Sequence, residues 1–218
     1  MDVYWYLSEA KLSTLQSTRP GLLAGVAAEI AFKFPFLEGK LSGAQPNTPV
    51  SELTRLLRRL RSETEIPEFD NVARGQLPKM IWFTGPAGRL VDDRAFWMVM
   101  KGVRNALLLA GSAGYAVGNR PAPANYISPS ADPVSAVRTA FGEEKTGRFP
   151  DPAGLAGSLS YAWQAVASAN LIGQGVPSVE GLAFLARSVV PDRQQMQRVG
   201  CEALEQLLVG TPLYVKQI

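Results

Sequence analysis

The most informative stretch of the chain is Asn105-Ala-Leu-Leu-Leu-Ala-Gly-Ser-Ala-Gly-Tyr-Ala-Val-Gly118. Its short apolar run is typical of a buried strand, and the strand ends in three glycines with a serine among them. Glycine at a strand end permits positive φ and the close approach of another backbone or of a ligand. Successive backbone N–H groups in such a turn can hold an anion or the carbonyl of a partner. The segment therefore predicts a recognition surface rather than a reaction centre.

The composition restricts the chemistry that the chain can perform. The 218 residues contain no histidine and one cysteine, Cys201, and they carry a net charge of +3. Without histidine, the chain has no Ser-His or Cys-His pair and no imidazole metal ligand. One cysteine excludes an internal disulfide and a thiolate zinc cluster, and it fits a reducing compartment. The mild positive charge falls short of the focused charge expected of a dedicated nucleic-acid binder.

The sequence carries no signal for a membrane or for secretion. No apolar run approaches the roughly 18 residues that a membrane span needs. The N-terminal Met1-Asp-Val-Tyr-Trp5 lacks the basic start and the cleavage site of a signal peptide. We therefore expect a cytoplasmic protein.

The N-terminal half, residues 1–118, has the pattern of a mainly antiparallel sheet. Apolar and aromatic runs bounded by turn residues predict strands over 3–7, 30–37, 79–84, 95–100 and 106–110. The last three runs follow one another closely and predict an antiparallel meander.

The clearest local signal is a helix over residues 51–63, which Ser51 is expected to cap. Leucines recur on one face at helical spacing, and the remaining positions are rich in arginine: Arg55, Arg58, Arg59 and Arg61. Two interpretations stay open for these arginines. They form a solvated polar face, or they form a basic strip that binds phosphates or an acidic partner. Glu63 and Glu65 follow directly and weaken the positive field.

The C-terminal half is expected to be helical after a long loop over residues 119–133. Helical spacing predicts helices over 134–141, 154–172, 179–189 and 192–208, followed by a short strand over 213–215 that could join the N-terminal sheet. The resulting fold class is α+β, with a mainly antiparallel sheet in the N-terminal half. The helical C-terminal half, residues 134–218, is expected to pack on that sheet. All of residues 1–218 are expected to form a single domain.

The glycine-rich segment matches none of the common nucleotide or nucleophile motifs. Ala110-Gly-Ser-Ala-Gly114 differs from the hydrolase elbow Gly-x-Ser-x-Gly, and no Gly-Lys-Ser/Thr follows it as in a P-loop. Its spacing also departs from the dinucleotide-binding fingerprint. Two interpretations stay open: a bulged strand end packed against its neighbour, or a pocket for a ligand or partner. Among the aromatic residues, Tyr4, Tyr6 and Trp82 could stack a base or anchor a peptide if they face away from the core.

Four segments together resemble a known group of bacterial domains. They are Tyr4-x-Tyr-Leu-Ser-x-Ala-Lys-Leu12, the leucine-rich helix at 53–60, Leu108-Leu-Ala-Gly-Ser112 and Gly210-Thr-Pro-Leu-Tyr-Val215. In these segments the chain resembles uncharacterised actinobacterial domains that look like the N-terminal domains associated with caspase-like proteases and TPR repeats in bacterial conflict systems. The resemblance implies an adaptor or sensor role in antiviral defence, with a caspase-like protease or TPR protein as partner. It implies no catalytic residues.

These observations favour a non-enzymatic adaptor or ligand-sensing module that binds a protein effector or a small anionic ligand. No cofactor is expected, and neither a membrane nor nucleic acid is expected as a partner. A ligand would be held by two cationic side chains, two serines and the glycine-rich turn. The predicted ligand-binding residues are Ser8, Lys11, Arg104, Gly111, Ser112 and Gly114.

Two alternatives remain open at this point. A metal-dependent enzyme that acts on nucleotides or phosphoesters would use Asp92, Asp93 or Glu9 with a divalent ion. An oligomerising scaffold would use the apolar strands or the helical half as an interface between copies.

Overall fold

The computed structural model describes residues 3–17, 49–63, 65–92, 95–117, 133–138, 140, 152–170 and 175–218. The strands in these segments are β1 (Val3–Leu7), β2 (Met80–Val91), β3 (Ala95–Lys101), β4 (Asn105–Ser112), β5 (Ser178–Val189) and β6 (Gln206–Gln217). The α-helices in the same segments are α1 (Glu9–Ser17), α2 (Pro49–Glu63), α3 (Pro133–Arg138), α4 (Pro152–Asn170) and α5 (Arg193–Gln197). Two 3-10 turns cover Phe69–Asn71 and Ala113–Tyr115.

Five of the strands close into a barrel. The pairing order β6-β4-β3-β2-β5 returns to β6, because β5 and β6 also pair with each other. These pairs are antiparallel except for β4 with β6, which are parallel. β4 pairs with the first half of β6, and β1 pairs with the second half of β6 along the same edge. Closure gives every barrel strand two neighbours, which satisfies backbone N–H and C=O groups around the ring.

The predicted helical C-terminal half is wrong. Residues 178–189 form β5 and residues 206–217 form β6, whereas we expected helices over 179–189 and 192–208. The physical reason lies in β5, which is buried without interruption from Gly181 to Leu185. A strand covered on both faces has a continuous apolar run, and such a run fits a helix and a strand equally well. The fold is therefore a closed barrel with helices outside it, not a sheet with a helical half packed on it.

Several local predictions are confirmed. β1, β3 and β4 occupy the expected segments, whereas β2 covers the expected 79–84 from Met80 and continues to Val91. The three strands β2, β3 and β4 form the expected meander, and the end of β6 pairs with β1. The helices expected over 134–141 and 154–172 correspond to α3 and α4, and the one expected over 51–63 is α2. α2 begins at Pro49, so Ser51 lies inside the helix and does not cap it. The strand predicted over 30–37 and the loop predicted over 119–133, except Pro133, lie outside the described residues.

The inside of the barrel is filled by side chains. Alternate residues of each strand point inward. They include Phe96 and Met98 of β3 and Leu107 and Leu109 of β4. Tyr6 of β1 joins this cluster, with its ring centroid 5.0 Å from that of Phe96. The interior is therefore a packed core, and a candidate ligand site has to be sought outside it.

Two apolar layers cover the outside of the barrel. α3, α4 and α5 pack on outer residues of β3, β4 and β6, where the indole N–H of Trp163 donates to the carbonyl oxygen of Leu107 at 3.0 Å. α1 and α2 contribute Leu12, Leu56 and other leucines to a separate cluster on β5 and β6. Of the helices in the described segments, none is long and apolar enough to span a membrane.

The segment before β2 closes one end of the barrel through polar contacts. The Asp70 carboxylate accepts hydrogen bonds from the backbone N–H groups of residues 103–105 at 2.8–2.9 Å. The side-chain amides of Asn105 and Gln206, which are partners in the β4–β6 register, both donate to the carbonyl oxygen of Val72. One carboxylate and two amides thus fix this segment across the barrel end.

Removing the Asp70 carboxylate is expected to destabilise the protein. Asp70→Ala should lower the free energy of unfolding by about 2–3 kcal/mol, because three backbone donors lose a charged acceptor. Asp70→Asn keeps one acceptor oxygen and should lose less. Urea denaturation followed by circular dichroism measures both variants. If Asp70→Ala is as stable as the wild type, this carboxylate does not hold the barrel end.

Candidate functional site

Ser8 and Lys11, two of the predicted ligand-binding residues, are buried where α1 meets β6. The Lys11 amine donates to Thr211 Oγ1 at 2.5 Å and to the carbonyl oxygen of Pro212 at 2.9 Å. Burial lowers the pKa of Lys11 to about 7. The Ser8 hydroxyl has no hydrogen-bond partner within the described chain, while the Ser8 backbone N–H donates to Leu213. Lys11 therefore attaches α1 to β6 and is shielded from solvent.

The predicted glycine turn is packed against the core. Gly111 and Ser112 are the buried end of β4, and Gly114 is exposed in the 3-10 turn that follows. Ring atoms of Tyr6 lie 2.6–2.7 Å from the position that a Cβ on Gly111 would take. Ser112 Oγ accepts from the Gly114 N–H at 3.4 Å. These contacts favour the packed strand end over the pocket, because the space beside Gly111 is occupied by an aromatic ring.

Arg104 lies at the opposite end of β4 from the glycine turn. Its guanidinium donates two hydrogen bonds to the Glu205 carboxylate at 2.9 and 3.0 Å. Hydrogen bonding within this exposed pair raises the pKa of Arg104 and lowers the pKa of Glu205. An extended strand of eight residues separates Arg104 from the turn, which is roughly 25 Å.

The structure does not assemble the six predicted residues into one cradle. Ser8 and Lys11 contact residues 211–213 of β6, and Gly111 packs against Tyr6 of β1. Arg104 is separate from both, because it precedes the strand that the glycines terminate. The predicted site combined Arg104 with the glycines although the strand expected over 106–110 lies between them.

A cleft of about 250 Å³ lies on the outside of the barrel, where α2 ends. Five separate parts of the chain contribute to its walls: α2, the segment after it, β2, β5 and β6. The lining residues are Arg61, Glu68, Trp82, Phe83, Thr84, Glu180, Gly181 and Tyr214. We call it the Trp82 cleft.

Strand register places the polar residues of the Trp82 cleft side by side. Thr84 of β2 pairs with Glu180 of β5, and Glu180 pairs in turn with Lys216 of β6. Trp82 is two residues before Thr84 and so lies on the same outer face of the sheet. Glu68 approaches from the segment after α2 through an isolated parallel bridge to Trp82. The barrel thus brings together side chains from distant parts of the sequence.

Charges of both signs line the Trp82 cleft. The Arg61 guanidinium is over this ring, 5.3 Å from its centroid. Burial raises the pKa of Glu68, and the nearby positive charge of Arg61 opposes the rise. Glu180 forms an ion pair with Lys216 at 3.4 Å. The cleft therefore combines carboxylate acceptors, a guanidinium donor and a half-buried aromatic ring.

Tyr214 adds a hydroxyl donor to the Trp82 cleft. Burial raises the pKa of Tyr214, and the carboxylate of Glu180 raises it further. The phenol consequently stays protonated and can donate a hydrogen bond. Together, these groups suit a small ligand that has a planar ring, N–H donors and an anionic group.

The sequence indicated a possible binding role for only two of the residues that line the Trp82 cleft. Arg61 was noted as a member of the arginine-rich helix face, and Trp82 as an aromatic residue able to stack a base. Glu68, Glu180 and Tyr214 were missed. They lie on different segments and share no spacing, so no local signal could have joined them.

The structure does not bring together the carboxylates proposed for metal-dependent catalysis within the described residues. Asp92 Oδ1 accepts from the N–H of Ala95 at 2.6 Å, and Oδ2 accepts from the indole N–H of Trp97 at 3.0 Å. Glu9 is exposed at the start of α1, and Asp93 lies outside the described residues. Across the segments that the structure describes, no three His, Cys, Asp or Glu side chains are grouped so that they could hold a metal ion.

A second cavity, also of about 250 Å³, is lined by Cys201, Lys101 and Trp163 among others. The Cys201 thiol donates to the carbonyl oxygen of Val199 at 3.3 Å. Burial raises the pKa of this thiol, although Lys101 nearby opposes the rise. A protonated, buried thiol is a weak nucleophile and packs as a small apolar group.

Comparison with known proteins shows the family of the chain. The family of unknown function DUF7019 matches residues 2–218, so the chain belongs to that family. A search of curated proteins and a search of solved structures each found no match. The association with caspase-like proteases and TPR repeats stays a prediction from the sequence.

Proposed function

We propose that the protein is a non-catalytic binding module whose ligand site is the Trp82 cleft. The observation that carries the proposal is one cleft on the outside of a packed barrel that the Trp82 ring lines together with polar side chains: Arg61, Glu68, Glu180 and Tyr214. Such convergence of a few polar groups on an aromatic surface is typical of small-molecule sites. The ligand-sensing role expected from the sequence is thus assigned to a different site.

The chemistry of the cleft defines the ligand that it suits. The ring face of Trp82 accepts a planar group, and Glu68 and Glu180 accept hydrogen bonds from N–H groups. Arg61 provides a partner for an anion. A volume of about 250 Å³ is large enough for a single ring system but not for a folded peptide segment. The proposed ligand is therefore a small planar molecule with N–H donors and an anionic group.

An adaptor role fits this proposal. A module that binds a small molecule can report its presence to an effector, and a caspase-like protease or TPR protein is the partner that the sequence resemblance implies. The single buried cysteine is compatible with a reducing, cytoplasmic setting. The metal-dependent alternative has less support, because both carboxylate oxygens of Asp92 already accept hydrogen bonds.

Ligand binding at the Trp82 cleft is expected to stabilise the protein against heat. We would screen nucleosides, nucleotides, aromatic amidines and guanidines by thermal denaturation. A compound at 100 times its Kd should add about 2.7 kcal/mol to the free energy of unfolding, which shifts Tm by several degrees. Arg61→Gln and Glu68→Gln change exposed side chains of the cleft, and each should at least halve the shift.

Arg89→Gln is the matched control for this screen. Arg89 lies over the Trp5 ring at 4.4 Å from its centroid, so this variant removes the same type of contact outside the cleft. The control should keep the full Tm shift. The proposed function would be contradicted if no compound raised the Tm of the wild type, or if the Tm shift were equal in the wild type and all variants.

A further inference from the structure

Three arginines form a row along α2 that leads into the Trp82 cleft. Arg55, Arg58 and Arg61 follow one another at three-residue spacing, so the Cβ atoms of neighbouring arginines lie about 5–6 Å apart on one helix face. All three are exposed. Arg55 and Arg58 form no ion pair or hydrogen bond within the described chain. This arginine row is a local positive surface of the kind that binds successive phosphates.

The cleft end of the arginine row carries the contacts that would recognise a guanine base. Trp82 supplies a ring face for stacking. The Glu68 side chain forms no hydrogen bond or ion pair with the described residues. Guanine has two adjacent N–H donors on its pairing edge, at N1 and N2, and one carboxylate accepts both in parallel as it accepts the fork of an arginine. Adenine presents one donor beside a lone pair, which a carboxylate repels.

We propose that the Trp82 cleft and the arginine row together bind a guanine nucleotide. The base stacks on Trp82 and donates to Glu68, while the phosphates contact Arg61, Arg58 and Arg55. This inference rests on the proposed function and names the ligand class of the same site. It agrees with the small anionic ligand expected from the sequence, and it gives the arginine-rich helix face a role in phosphate binding.

Arg61 has to move for the base to stack, because its guanidinium lies over the Trp82 ring. A cation–π contact at an exposed site is weak, whereas a guanidinium–phosphate contact is charge-assisted and bidentate. Arg61 can therefore exchange the ring for a phosphate when a nucleotide binds. A nucleoside without phosphate offers no such exchange, so guanosine should bind more weakly than GTP.

Calorimetric titration of the full chain with GTP, ATP and guanosine tests this inference. We expect GTP to bind with a Kd of about 1–100 µM, and ATP and guanosine to bind at least about tenfold more weakly. Replacing both Arg55 and Arg58 with Gln should weaken GTP binding about tenfold or more and leave guanosine binding unchanged. Glu68→Gln should abolish the preference for GTP over ATP. Arg89→Gln is the control and should bind all three as the wild type does.

Three outcomes would overturn the inference. They are equal affinity for GTP and ATP in the wild type, unchanged GTP affinity after loss of Arg55 and Arg58, and no nucleotide binding at all. In the last case the thermal screen separates the two proposals. If other planar compounds still stabilise the wild type but not the cleft variants, only the nucleotide assignment fails. If they do not, the proposed function fails as well.

Discussion

Gly210→Ala is expected to destabilise the protein strongly. Gly210 lies in β6 between its partners Leu109 of β4 and Leu185 of β5, at the seam that closes the barrel. A Cβ at this position would overlap the carbonyl oxygen of Phe184 and lie 3.0 Å from its carbonyl carbon. These are backbone atoms, so the clash cannot be relieved by a side-chain rotation. The β5–β6 pairing would have to separate.

We expect Gly210→Ala to lower the free energy of unfolding by about 4 kcal/mol or more, which is exceptional for a single methyl group. Since domains are stable by only about 5–15 kcal/mol, a loss of this size is at least about a quarter of the stability of the protein. Urea denaturation followed by circular dichroism measures the loss.

Gly157→Ala is the matched control for this substitution. Gly157 lies in α4, and its added Cβ would be 3.8 Å from Asp192 Oδ2, an ordinary contact. This change should stabilise the protein slightly, because alanine favours a helix by about 1 kcal/mol over glycine. If the free energy of unfolding of Gly210→Ala is within about 1 kcal/mol of the wild-type value, the close β5–β6 pairing at Gly210 is not required for the fold.

Lys11→Met is expected to abolish a strong pH dependence of stability. The pKa of Lys11 is about 7 in the folded protein because the amine is buried, compared with 10.5 for a lysine exposed to solvent. Between these two pH values the unfolded chain binds a proton that the folded chain does not. Stability therefore rises as pH increases from 7 to 10.5, and this contribution is lost as pH falls.

The expected size of this effect follows from the width of the pH window. From pH 7 to pH 10, the free energy of unfolding of the wild type should rise by up to about 4 kcal/mol relative to Lys11→Met. Urea denaturation of both proteins at each pH gives this difference and cancels the titration of other groups. Lys79→Met replaces an exposed lysine and serves as the control. If the free energies of unfolding of Lys11→Met and the wild type differ by the same amount at every pH from 7 to 10, Lys11 is charged when buried and the account is contradicted.

The N-terminal elements could be predicted from the sequence because their signals are local. The meander from β2 to β4 has apolar runs separated by turn residues, and α2 has leucines at helical spacing against arginines. β5 could not be identified in this way. Its buried run from Gly181 to Leu185 owes its conformation to pairing with β6 and with β2, and β2 lies far from it in the sequence.

The candidate site was predictable to an even smaller extent. Trp82 and Arg61 carried recognisable properties, stacking and positive charge, but nothing in the sequence placed them together. Glu180 reaches the cleft only because the β2–β5 register sets it opposite Thr84. The predicted cradle failed for a different reason, since Arg104 and the glycines stand at opposite ends of one strand. Pairing between distant strands forms the cleft, whereas the length of β4 alone separates the cradle residues.

The most direct test of the central claim, that the Trp82 cleft is the ligand site, is nitrogen-15 NMR of the indole groups. The chain has four tryptophans, and Trp82→Phe identifies the signal of Trp82. We would add the stabilising compounds to the labelled wild-type protein. We predict that the Trp82 signal shifts with saturation while that of Trp163, buried under the opposite layer, stays in place. A compound that binds without shifting the Trp82 signal would contradict the claim.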